Sequence, residues 1–290
     1  MKDLTPLFCS VDDFCKEFEP QWGSKLLEAG VICRKRKRSL SLSEVMTILI
    51  AFHQVRFRDF KHFYLFLLQF CRKDFPGLPS YSRFIQWVPS VLVPLCAYLE
   101  SRKGDCTGIQ FIDSTAVSVC KNKRIQRNKV FKGLAQLGKN TMGYFYGFKL
   151  HLIVNDLGEL LSFKVTPGNF DDRSVLLGLT AGLQGKLFGD KGYISAKKFK
   201  ELFQAGLKLI TPIRSNMKNR ILPLEEKLLL RKRSIVETIN DQLKNISQIE
   251  HTRHRSQWNF MVNLVCGLIA YTHQPKKPSI SLKNVFPLSA

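Results

Sequence analysis

The stretch GIQFIDSTAVSV, residues 108–119, decides how the chain is read. Its apolar residues alternate: Ile109, Phe111 and Asp113 point to one side and Ile112 to the other, the period of a β-strand. The strand carries an acid at or near its end. Four further strands follow: YGFKLHLIVND (146–156), LLSFKVTPGN (160–169), GKLFGDKGY (185–193) and LKLITPI (207–213). The turn Asp156-Leu157-Gly158-Glu159 joins the first two of these as a hairpin. Helical segments are DRSVLLGLTAGL (172–183), capped by Asp171 or Asp172, SAKKFKELFQAG (195–206), ending at Gly206, and RKRSIVETINDQLKNISQI (231–249). The order β-β-β-α-β-α-β-α predicts an α/β fold, one mixed five-stranded sheet with helices on its faces.

Upstream of residue 107 the texture is helical. Ser41 or Ser43 can cap LSEVMTILIAFHQV (42–55), with Leu42, Val45, Ile48, Leu49 and Phe52 on one face. A second helix is expected over Phe60–Phe70. Pro76, Gly77 and Pro79 break the chain, and Ser80 or Ser82 can cap YSRFIQWVPSVL (81–92), which Pro89 interrupts. This predicts a small all-α N-terminal domain, compatible with a helix-turn-helix. The basic run Arg34–Arg38 within it fits either a solvated face or phosphate contact.

The chain has 290 residues, enough for one large domain or a medium domain with a small partner, and 44% are hydrophobic, enough for a sizeable core. It carries 45 Lys and Arg against 23 Asp and Glu, a formal charge of +22. Such a chain repels itself unless a polyanion is near, so the charge points to nucleic acid. The eight cysteines form no C-x-x-C pair, which argues against a zinc finger, and their apolar neighbours suit reduced thiols in the cytoplasm. No signal peptide is read at the start. The apolar run Phe260–Tyr271 is too short to span a bilayer and reads as a buried helix, so no membrane partner is expected.

Three acids stand out by placement: Asp113 on the first strand, Asp190 after the fourth and flanked by Gly189 and Gly192, and Glu237 on the last helix. On that helix Arg233, Glu237, Asn240 and Lys244 form one stripe, with Ile235, Ile239, Leu243, Ile246 and Ile249 roughly opposite. An ordinary i,i+4 salt bridge also explains Arg233 and Glu237. It leaves the placement of the two aspartates unexplained.

With these residues in view, the chain from about Thr107 to Pro278 resembles the ribonuclease-H-like catalytic domain of DDE-class insertion-sequence transposases. FIDST matches the family's first Asp, Gly189-Asp190-Lys191-Gly192-Tyr193 its second, and Glu237 the Glu of its last helix. One branch carries a tyrosine–arginine–glutamate–lysine signature. Arg233, Glu237 and Lys244 match it in spacing, while Leu230 stands at the tyrosine position. TPGNFDDRSV also resembles the family's loop before its first helix. Three parts are expected: 1–104, a generic helical domain read from its own pattern and expected to bind DNA; 105–278, the ribonuclease-H-like catalytic domain that the resemblance implies; and 279–290, a tail. It implies that Asp113, Asp190 and Glu237 are catalytic and hold metal. It also implies cleavage of transposon ends and transfer of the 3′-hydroxyl to target DNA, with double-stranded DNA as partner and a homodimer or higher multimer on it, in the bacterial cytoplasm at the nucleoid.

The chemistry suits the acids. Three carboxylates within about 5 Å repel by roughly 3 kcal/mol per pair at an effective dielectric near 20. Hard oxygen ligands select Mg²⁺, with Mn²⁺ able to substitute, and two ions can serve both the attacking and the departing oxygen. In this reading Asp113 and Asp190 bridge two ions and Glu237 holds one. A ribonuclease-H-like nuclease without strand transfer and a catalytically decayed DNA-binding relative are the alternatives.

Between Ser114 and Asn155 the sequence has no acid. It has Lys121, Lys123, Arg124, Arg127, Lys129 and Lys132 among the aromatics Phe131, Tyr144, Phe145, Tyr146 and Phe148, a pattern expected of a DNA-facing loop. Lys191, Arg233 and Lys244 are expected to hold phosphates beside the acids. Arg253 and Arg255, in HTRHRSQWNF (251–260), are further expected DNA contacts, and Trp258 reads as core. His251 and His254 lack a third ligand for zinc. No Trp stands between 214 and 232 to receive a flipped base.

Overall fold

A computed structural model describes residues 3–30, 38–55, 57–217, 221–250 and 254–280. Helices come first: α1 (Thr5–Glu28), α2 (Leu42–Phe52), α3 (Phe60–Phe70), α4 (Tyr81–Trp87) and α5 (Leu92–Ser101). Their starts follow the capping chemistry. Ser41 and Glu44 form a reciprocal capping box on α2, Asp59 caps α3 and Ser80 caps α4. Pro89 turns the chain into a 3-10 segment over Val88–Val91. From Val45 to Phe52, α2 is buried all round, so it is the centre of its unit and not the one-faced helix its pattern suggested. The run Tyr81–Ser101 is long and apolar enough to cross a membrane by length and composition alone. Here it is three pieces, and Phe84, Trp87, Val91, Leu95, Tyr98 and Leu99 are buried within the helical unit.

The sheet follows: β1 (Ile109–Cys120), β2 (Gln136–Asn140), β3 (Gly143–Asn155), β4 (Leu160–Pro167), β5 (Gly185–Phe188) and β6 (Leu207–Ile210). Between β4 and β5 lie a 3-10 turn, Asp172–Val175, and the single-turn α6 (Leu176–Leu179). Asp171 caps that turn, and the expected helix over 172–183 is reduced to these two short pieces. Then come α7 (Ala196–Gln204), α8 (Leu224–Arg231), α9 (Ser234–Asn245) and α10 (Gln257–Thr272).

β3 is the long central ribbon. One edge pairs antiparallel with β1, and β2 and β4 both pair antiparallel with it further out. β1 pairs parallel with β5, and β5 with β6. This is the mixed α/β sheet expected from the sequence, with one correction: it has six strands, not five. The extra strand, β2, lacks an alternating apolar pattern. It pairs with the first residues of β3, where Gly138 packs flat against the Phe145 ring. The β3–β4 turn needs Gly158, whose φ is +74° and whose missing side chain leaves room for the Pro278 carbonyl.

One face of the sheet carries the main core of this unit. Ile112, Ile153, Leu161, Val175, Leu176, Leu179, Leu187, Tyr193, Leu202, Leu207 and Leu209 pack there. On α9, Ile235, Val236, Ile239 and Leu243 are buried. The chain divides into two units: residues 1–102 with 246–249 and 254–273, and residues 103–245 with 250–253 and 274–290. α10, placed by the sequence reading in the catalytic unit, belongs to the helical one, because it is buried nearly all round and needs a helical core to enclose it. Most of the expected tail, 281–290, lies outside the described residues; Ile280 donates to the Asp156 carbonyl.

Candidate active site

Asp113 is the fifth residue of β1, well inside the strand and not at its end. What ends there is the neighbour. In the parallel ladder Phe111 is the last β1 residue paired with β5, opposite Phe188. Asp113 and Asp190 each lie two residues beyond that pair. Since side chains two apart share a strand face, Asp113 follows Phe111, whose ring stacks on Phe188 at 5.4 Å. β5 stops at Phe188, and Asp190 starts a 3-10 turn over Lys191–Tyr193. Gly189 allows this turn: a side chain there would press on Ile112 and Tyr193. The two acids thus sit where a parallel pair of strands separates, a usual place for function in open α/β sheets.

α9 supplies the third wall. Its Asn240 is buried and donates from Nδ2 to Asp113 Oδ2 at 3.1 Å. Glu237, about one turn earlier, is half exposed and pairs with Arg233 Nη2 at 2.9 Å. Burial pushes the Asp113 carboxyl from an ordinary 3.8 up to about 6; the Ser114 N–H and Arg233 oppose this, and the charges of Glu237 and Asp190 add to it. Asp113 therefore feels both other acids. The side chains are not drawn together around one point: among the described residues, no group of three or more His, Cys, Asp or Glu is poised to hold a metal ion.

The donor set nevertheless fits a hard divalent cation. It consists of carboxylate oxygens, and the Asp113 carboxyl is raised in pKa first by burial and in smaller part by the charges of Glu237 and Asp190, a penalty that a cation would relieve.

The basic residues fall into separate groups. Lys121 precedes a 3-10 turn over Asn122–Arg127 that carries Lys123, Arg124 and Arg127; Lys129 and Lys132 follow in the loop before β2. All six are exposed, and none has an ion-pair partner among the described residues. Lys191 is exposed next to Asp190. Lys244 is half-buried and pairs with Glu250 at 3.4 Å, while Glu250 also accepts from the Ser118 N–H. Arg255 is exposed and belongs to the helical unit. Arg253 and His251 lie outside the described residues, as do Arg34–Lys37. Trp258 corrects the expectation of a core residue: it is 60% exposed, because the first turn of α10 precedes its enclosed part.

Two features escaped the sequence reading. Asn240 was visible only as one member of a polar stripe. The other is a polar cluster on the opposite face of β1, beginning at the next residue. Asp172 accepts from Ser114 Oγ at 3.3 Å and from Lys149 Nζ at 2.9 Å. His151, paired with Ser114 in the ladder, is fully buried and bonded to Thr166; burial holds its pKa down at about 4, so it is neutral. The buried Tyr193 hydroxyl is pushed well above its usual pKa by burial and by Asp172 and Asp113. The TPGNFDDRSV motif was the available signal for Asp172.

Residues 103–257, more than half of the chain, match the family described as Transposase DDE domain. The chain belongs to that family. Asp113, Asp190 and Glu237 all fall within the matched span of this transposase domain. Among solved structures, it is similar to a piggyBac transposase synaptic complex with hairpin DNA seen by cryo-EM. The two share 12% identity over 87% of this chain and 72% of that one, with a TM-score of 0.46. No curated protein matches this transposase.

Proposed function

We propose that this transposase cuts the ends of a DNA element and joins the freed 3′-hydroxyl to target DNA, with Asp113, Asp190 and Glu237 as its catalytic carboxylates. The observation that carries the reading is the position of Asp113. It is a partly buried acid where β1 and β5 separate, bonded to Asn240 and electrostatically exposed to both other acids.

The three carboxylates would hold Mg²⁺, or Mn²⁺ in its place, as a pair of ions. When bound, such ions supply Lewis-acid activation of the attacking oxygen and charge stabilisation of the departing one. The protein's own part is positioning. β1 fixes Asp113, Asn240 holds one carboxylate oxygen in a single orientation, and the 3-10 turn aims Asp190 outward. Glu237 is held by Arg233 and must exchange that partner to join the site. Lys191 beside Asp190, and Arg233 once released, are placed to contact phosphates. Double-stranded DNA is the proposed partner, bound by a homodimer or larger multimer. The first hundred residues are proposed to share in DNA binding.

The test uses the element's own terminal DNA with Mg²⁺. Asp113→Asn, Asp190→Asn and Glu237→Gln should each abolish cleavage while DNA binding persists. A variant that still cleaves at the normal rate removes its residue from the site. A pre-nicked end separates transposition from simple hydrolysis: if wild type never yields joined product, the protein is a nuclease.

A further inference from the structure

At the far end of β1 from the acids, a cavity of about 390 Å³ is lined by Ser118, Cys120, Lys121, Asn122, Lys123, Tyr144 and Phe145. Its size falls in the range of small-ligand clefts, roughly 300–1,000 Å³. Phe145 and Cys120 are buried and give it an apolar floor. Its wall is fixed, because Asn122 on the 3-10 turn donates to the Tyr144 carbonyl on β3 at 2.7 Å. Tyr144 is 61% exposed, so its ring is open to a flat partner. Lys139 Nζ sits 5.6 Å from its centroid. No acid lines the cavity, and Lys121 and Lys123 are exposed without ion-pair partners among the described residues.

An apolar slot, one exposed aromatic and two free ammonium groups match the parts of one nucleotide: a flat base and its phosphates. We infer that this cavity binds a single unstacked nucleotide of the DNA, its base against Tyr144 and its phosphates at Lys121 and Lys123. This deepens the proposed function and rests on it. A base inside duplex DNA has both faces covered by its neighbours, so only an unstacked one can use the ring.

The probes are an intact DNA duplex and the same duplex with one unpaired 2-aminopurine, compared for wild type, Tyr144→Ala, Tyr144→Phe and Lys123→Ala. Wild type should bind the bulged duplex more tightly and change its 2-aminopurine fluorescence. Tyr144→Ala should lose on the order of tenfold to a hundredfold more affinity for the bulged probe than for the intact one, the scale of base–aromatic stacking. Tyr144→Phe keeps the ring and should retain the preference, and Lys123→Ala should weaken both probes while keeping the fluorescence change. Equal losses on both probes in Tyr144→Ala, or none, overturn the inference. If wild type binds neither probe, the proposed function itself falls. If wild type binds and cleaves but shows no bulge preference, only the nucleotide site falls.

Discussion

Asn240 donates its side-chain amide to Asp113 across 127 residues of sequence, at 3.1 Å, and is itself buried. The bond ties α9 to β1 at the acid, of the three, whose carboxyl burial holds furthest from water. A buried amide in this role fixes which carboxylate oxygen is left for other ligands. Asn240→Ala should lower Mg²⁺-dependent cleavage by about 10- to 100-fold, the usual cost of losing such a supporting contact. The loss should appear as weaker Mg²⁺ dependence together with slower turnover, while DNA affinity stays close to wild type. Unchanged Mg²⁺ titration curves would show that the bond is structural only.

Asp113 makes the folded protein pH-dependent in an unusual direction. Its pKa is raised from 3.8 to about 6, chiefly by burial. Between those values the folded state holds a proton that the unfolded state has lost, so stability falls as pH rises from about 4 to 6 and is level above. Asp113→Asn removes the buried charge. In metal-free buffer at pH 8 it should be more stable than wild type by about 1–3 kcal/mol, from about two pKa units at 1.36 kcal/mol each. The advantage should vanish below pH 4. Thermal melts of both proteins across that range provide the measurement; a constant offset at every pH would mean the charge is not responsible.

Much of the catalytic sheet was legible because its strands obey simple patterns. β1 alternates, β3 and β4 are joined by a turn that needs Gly158, and Gly189 and Gly192 mark the turn around Asp190. β2 was not legible, since Gln136–Asn140 has no apolar side to alternate and is fixed only by pairing with β3. α8 was missed because Pro223 and the charged Glu225-Glu226-Lys227 look like a loop; burial of Glu226 between Lys208 and Lys186 anchors it. Asp172 and Asn240 were out of reach for another reason. Each meets the β1 segment from far along the chain, and a helix period shows which residues share a stripe but not which turn of the stripe meets a strand. The allegiance of α10 to the helical unit is long-range in the same sense.

Arg233 and Glu237 form an ion pair whose acid is 53% exposed, so its worth to folding is small, about 0–1 kcal/mol after solvent screening. Arg233→Ala should therefore melt close to wild type. Its effect on metal should be larger than its effect on stability. Without the guanidinium, Glu237 is free to join a cation, and Mn²⁺ binding to the DNA-free protein should tighten by up to about fivefold, the equivalent of that lost pair. Glu237→Gln should weaken Mn²⁺ binding instead. Calorimetric titration settles the sign: weaker binding in Arg233→Ala would mean that Arg233 organises the acid and does not compete for it.

The cluster Lys121, Lys123 and Arg124 is exposed, acid-free and without ion-pair partners among the described residues, so its charge is available to phosphates. Each phosphate neutralised on duplex DNA contributes nearly one unit, about 0.9, to the slope of log affinity against log salt. The triple change Lys121→Ala, Lys123→Ala and Arg124→Ala should flatten that slope by up to about three units. The loss of affinity should be greatest at low salt and fade as salt rises, because screening erases the same contacts. Binding isotherms at four or five salt concentrations measure it. A slope identical to wild type would place the DNA path elsewhere on the catalytic unit, whatever the affinity at any single salt.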